Sequence, residues 1–102
     1  MSQFLRGAVR LHILHHANAA PVHGAWMADE LAGHGYQISP GTLYPTLHRM
    51  QEEGLLASRQ VVVDGRARRM YEITELGREA LAEERRALAE LASEILGRQE
   101  ES

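Results

Sequence analysis

Residues 38–73 decide the fold: Ile38-Ser39-Pro40-Gly41-Thr42-Leu43-Tyr44-Pro45-Thr46-Leu47-His48-Arg49-Met50, then a continuation from Leu55 to Ile73 that bends at Asp64-Gly65. Ser39 is a good helix cap and Pro40 suits a first turn, so a helix is predicted over residues 39–53, closed by Gly54. Pro45 removes the bond to the Gly41 carbonyl, which means either a distorted first turn or regular helix starting near Thr42. Leu43, Leu47 and Met50, spaced three and four apart, are its core face. Residues 56–63 and 67–73 are rich in Val, Tyr and Ile around Asp64-Gly65, a hairpin signal. A loop of two or of four residues fits, so the register stays open.

Such a helix beside an arginine-tipped hairpin suits a nucleic-acid duplex. The helix can enter a major groove while the hairpin reaches neighbouring phosphates. The candidates on the helix are Ser39, Thr42, Tyr44, His48 and Arg49. In the hairpin they are Arg66 and Arg68. Arg69 faces the opposite side of its strand and is expected to pair with an acid of the same domain, and Tyr71 is assigned to the core. The competing reading is ordinary solvated surface, with Ser39 only a cap and Tyr44 packed inward.

Upstream, residues 3–18 read as a helix whose apolar positions cover too wide an arc for a surface helix. Pro21 breaks the pattern. A second helix is predicted over residues 23–34, with Trp26, Met27 and Leu31 as its apolar face and glycines at its end. Downstream, Thr74 caps a last helix with Glu75 in its first turn. Leu81, Leu88 and Ile95 repeat every seven residues with Leu91 between them, and Glu84 interrupts the other seam position. Three helices followed by a hairpin make a winged helix-turn-helix, mainly α with a β-hairpin wing. The expected organisation is a DNA-binding domain over residues 1–73, a dimerisation helix over 74–97 and a frayed tail over 98–102. The last helix has no evident partner within one chain, so Leu81, Leu88, Leu91 and Ile95 are assigned to a symmetric homodimer.

Three blocks in this chain resemble the signature of PadR-type winged-helix transcriptional regulators: "HGAWMADEL", "SPGTLYPTLHRMQEEGLL" and "DGRARRMYEITELGREAL". The likeness covers roughly residues 5 to 97. Ala25-Trp26 departs from it, since Tyr more often follows the glycine in that family. The single C-terminal helix resembles the short subclass. The resemblance implies a repressor that binds double-stranded operator DNA and is released by a small effector, most often an aromatic organic molecule.

Composition fits that expectation. The chain has 102 residues, enough for one small domain, and 44% apolar residues. It has no Cys, which excludes disulfides and thiolate metal sites and agrees with a reducing cytoplasm. Neither a membrane-spanning run nor a signal-type segment is evident. The net charge of −3 is unevenly placed. Residues 1–73 carry seven Arg against six acids, a net of +1, whereas residues 74–102 carry four Arg against eight Glu, a net of −4. Local field matters more than the total for docking on phosphates.

Two effector sites are candidates. His12, His15 and His16 stand at helical spacing and can hold a zinc-like divalent ion, against the alternative of three exposed or interface histidines. Trp26, the only Trp, could stack a planar organic ligand. No nucleophile elbow, phosphate loop or usefully spaced carboxylate pair supports an enzyme. A winged helix acting only through protein contacts, without direct DNA binding, is the reading from a different class.

Overall fold

The computed structural model describes residues 1–97; the tail expected over 98–102 lies outside them. Four helices and three strands follow in the order α1 (Gln3–Ala19), β1 (Val22–His23), α2 (Gly24–Gly33), α3 (Pro40–Glu52), β2 (Leu56–Val63), β3 (Arg66–Ile73) and α4 (Glu75–Leu96). This is a winged helix with a long C-terminal helix. The strands form one antiparallel sheet in the order β1-β3-β2.

The wing has the shorter of the two possible loops. Val63 pairs with Arg66, leaving only Asp64 and Gly65 between the strands. Both have positive φ, 51° and 74°, the type I′ geometry that matches the strand twist. β1 was not foreseen. Val22 and His23 pair with Tyr71 and Met70, which ties the start of α2 to the wing.

α3 begins at Pro40 and keeps Pro45 inside it. Ser39 holds the N-cap position but makes no side-chain capping bond, contrary to the sequence reading; its carbonyl receives the Thr42 and Leu43 amides at 3.0 and 2.8 Å. Thr74 does cap α4, its hydroxyl accepting from the Gly77 amide at 2.9 Å and donating to the Gly54 carbonyl at 2.6 Å.

The core gathers Val9, Ile13, Leu14 and Ala17 of α1, Met27 and Leu31 of α2, and Leu43, Leu47 and Met50 of α3 under Val22, Leu56, Tyr71 and Ile73 of the sheet. Burial pushes the Tyr71 phenol above its usual range, against the pull of Arg69. Leu81 of α4 closes this core. Gly77 makes that docking possible, because a Cβ there would strike the Leu55 carbonyl and the Ile73 side chain. Beyond Leu81, α4 leaves the core, with Leu88, Leu91, Ile95 and Leu96 exposed.

Candidate nucleic-acid interface

With Leu43, Leu47 and Met50 turned inward, the 3.6-residue period turns Gly41, Thr42, Pro45, His48 and Arg49 outward. Tyr44 lies at the edge of that face, 46% exposed. Its ring covers Gly24, the first residue of α2, so closely that a Cβ on Gly24 would overlap it. Thr46, at the opposite edge, donates to the Thr42 carbonyl at 2.7 Å, and the Ser39 hydroxyl reaches the Thr42 hydroxyl at 3.4 Å. His48 lies 3.4 Å from Glu52, so it faces solvent with a carboxylate beside it. A cleft of about 280 Å³ separates α3 from the start of α1 and is lined by Arg6, Arg10, Thr42, Thr46 and Arg49. Arg10 is engaged there by Glu53 at 2.6 Å. Arg6 and Arg49 have no ion-pair partner among the described residues.

The four wing arginines divide by strand face. Arg66 stands exposed beside the turn, with no ion pair among the described residues. Arg68 is half-buried and folds back so that its Nη1 lies 3.5 Å from His23 Nδ1, the same nitrogen that accepts from the Trp26 amide to cap α2. Arg69 donates to the Ser58 hydroxyl at 3.0 Å, so its partner is not the acid expected. Arg59 lies 3.8 Å from Glu72.

The expected dimer stripe is divided as well. Leu81 is only 2% exposed within a single chain, so it cannot serve a seam between chains. Leu88, Leu91 and Ile95 remain open. Leu88 and Leu91 line a groove of about 580 Å³ between α1 and α4, whose other walls include Phe4 and Leu11. Phe4 is 67% exposed, although its helix was expected to be buried on more than one side.

The histidine cluster also differs from the expected one. His15 points away, toward Arg85 of α4 at 3.0 Å. His34, at the C-cap of α2, takes its place, and one ring nitrogen from each of His12, His16 and His34 falls within 4.8 Å of the others. Glu30 joins them, its Oε2 3.1 Å from His34 Nε2 and 3.5 Å from His16 Nε2. The latter approach does not make a hydrogen bond, and His16 Nε2 is buried without a partner. Burial lowers the pKa of His12, helped by its histidine neighbours and opposed by Glu30. Burial also lowers that of His16, where Glu30 is the main opposing influence. Both shifts favour the neutral imidazole over the charged one. Trp26 is not on the buried face of α2 as expected. It is 41% exposed and meets His16 edge-on, with ring centroids 5.4 Å apart.

The model of the transcriptional regulator PadR-like family matches residues 13–83, which hold α2, α3, the whole wing and the start of α4. The chain belongs to this family. It is 66% identical over 99 residues to transcriptional regulator Rv3488 of Mycobacterium tuberculosis, covering 97% of this chain and 92% of that protein. Among solved structures, the PadR-like transcriptional regulator BC4206 of Bacillus cereus is 31% identical with a TM-score of 0.85, covering 97% of this chain and 100% of that one. The putative transcriptional regulator TA0346 of Thermoplasma acidophilum is 26% identical with a TM-score of 0.80, again over 97% and 100% of the two chains. A PadR-like chain of this kind is a transcriptional regulator and not an enzyme.

Three residues around these sites escaped the sequence reading. Arg6 shares the α1–α3 cleft with Arg49; its four-residue spacing from Arg10 placed both on one side of α1 and was the available signal. Glu30 and His34 belong with His12 and His16. Their own four-residue spacing was visible, but not that α2 would bring them against α1. Among the described residues, no helix is long and apolar enough to cross a membrane.

Proposed function

We propose that this PadR-like chain is a homodimeric, sequence-specific repressor of the cytoplasm that binds operator DNA through α3 and its wing and is released by a small effector. The observation that carries this reading is the pair of uncommitted arginines, Arg49 on the outward face of α3 and Arg66 beside the wing turn. Both are exposed, and neither has an ion-pair partner among the described residues. Arg49, His48 and Thr42 offer hydrogen bonds to base edges, and Ser39 and Tyr44 flank them. Arg66 serves phosphate, and Arg68 joins it by swinging away from His23.

Dimerisation is supported by Leu88, Leu91 and Ile95, which lie exposed on a helix whose first turns are already docked. A second copy covering them would remove a patch of the kind that seldom stays open to water. Two readers held this way meet half-sites about 34 Å apart. Trp26, half-exposed beside His16, is a seat for a planar organic effector, whose binding would quench its emission and release DNA.

Nuclease protection of the DNA upstream of the chain's own gene tests the reading. Two protected half-sites about one helical turn apart are expected. Uniform weak protection, equal on shuffled DNA, would favour a winged helix working through protein contacts.

A further inference from the structure

We propose that His12, His16, His34 and Glu30 form a binding site for a borderline divalent metal ion of the zinc type, clamping α1 to the end of α2. Three imidazoles and one carboxylate are a donor set that suits four-coordinate zinc. They converge from two elements: His12 and His16 stand one turn apart on α1, and Glu30 and His34 stand one turn apart at the end of α2. The three ring nitrogens already lie within 4.8 Å of one another. Donors around tetrahedral zinc sit about 3.4 Å apart, given bond lengths of about 2.0–2.1 Å, so side-chain adjustments of roughly 1 Å complete the site.

His16 Nε2 is the independent pointer. It is buried, and no hydrogen bond satisfies it, which is unusual for a nitrogen at a protein's own expense. A metal ion between His16 and Glu30 would satisfy it. Packing holds the rings in place: His12 meets Tyr36 edge-on at 5.1 Å between centroids, and His16 meets Trp26 in the same way at 5.4 Å. His15, one residue from His16, is directed to Arg85 and stays outside the site.

The consequence for regulation rests on the operator-binding reading above. α1 packs against α4, and α2 leads through residues 34–39 into α3. A metal ion joining α1 to α2 thus links the helix that carries the exposed apolar stripe to the reader helix. It can shift operator affinity only by its difference in affinity for the bound and free arrangements, and a roughly 5–150-fold change is the usual size of such coupling.

Equilibrium dialysis of the untagged full chain against zinc, with metal content measured directly, is the test. Wild type and His15→Ala should each hold about one zinc per chain. His34→Ala removes an exposed ligand that the core does not need, and it should weaken zinc binding at least about tenfold, since even loss of a supporting residue costs 10–100-fold. Glu30→Gln should weaken it too, and cobalt in place of zinc should give the strong visible absorption of a four-coordinate site. Wild type that retains no zinc would overturn the proposal. So would His34→Ala binding like wild type, or His15→Ala losing zinc as His34→Ala does. Zinc should also change the affinity of wild type, but not of His34→Ala, for the protected DNA. Zinc bound without such a change would overturn the regulatory step alone, and a chain that binds zinc but no DNA would count against the operator reading.

Discussion

Tyr44 depends on a residue twenty positions earlier. Its ring can lie across the start of α2 only because Gly24 has no side chain, which explains why His23-Gly24 opens that helix. His23 serves the same junction by capping α2 and meeting Arg68. One short segment thus positions an edge of the reader and one arginine of the wing. The types of residue on the outward face of α3 and along the wing were legible in the sequence. Their partners were not, because Arg68 with His23 and His16 with Glu30 are contacts between segments distant in the chain. Arg49 is the residue on which base recognition turns most simply. Arg49→Ala should fold normally and weaken binding to the specific site by about 1–3 kcal/mol, as loss of a bidentate base contact does. Unchanged affinity, measured by anisotropy on the protected fragment, would remove Arg49 from the interface.

At the level of elements, the helices and the wing were readable because their signals are local: Pro40 at a helix start, Thr74 as a cap, Asp64-Gly65 at a two-residue turn. β1 was not, since two residues carry no periodicity and exist as a strand only by pairing with β3. The last helix misled in a different way. Its seven-residue repeat starts at Leu81, yet Leu81 belongs to the chain's own core, and only the later members of the repeat stay open. Gly77 governs that docking. Gly77→Ala should cost at least about 1–3 kcal/mol of stability, because the Cβ meets a backbone carbonyl that cannot step aside. Denaturant unfolding should show the loss, and a midpoint equal to wild type would mean that α4 is not held as described. In the wing, Arg66→Ala should weaken binding to all DNA sequences alike and lower the salt slope by about one unit for each arginine lost from a phosphate. A loss confined to one base position would make Arg66 a base reader instead.

For the molecule as a whole, acidity and basicity are segregated, and this division gives the net charge of −3 its meaning. The Glu-rich helix α4 carries the exposed Leu88, Leu91 and Ile95, while Arg6, Arg49 and Arg66, which have no ion-pair partner among the described residues, belong to α1, α3 and the wing. Leu88→Glu should therefore yield a folded monomer with little operator affinity, since a charge at a desolvated seam is costly. Sedimentation that finds this variant still dimeric would place the seam elsewhere. Operator binding by the dimer is tested most directly by its affinity for the protected fragment across a salt series. Arg66 and Arg68 on two protomers supply up to four phosphate neutralisations, so log K should fall against log salt with a slope approaching about −3.6, with two chains bound per duplex. A slope near zero, or no saturable binding at any salt concentration, would contradict it.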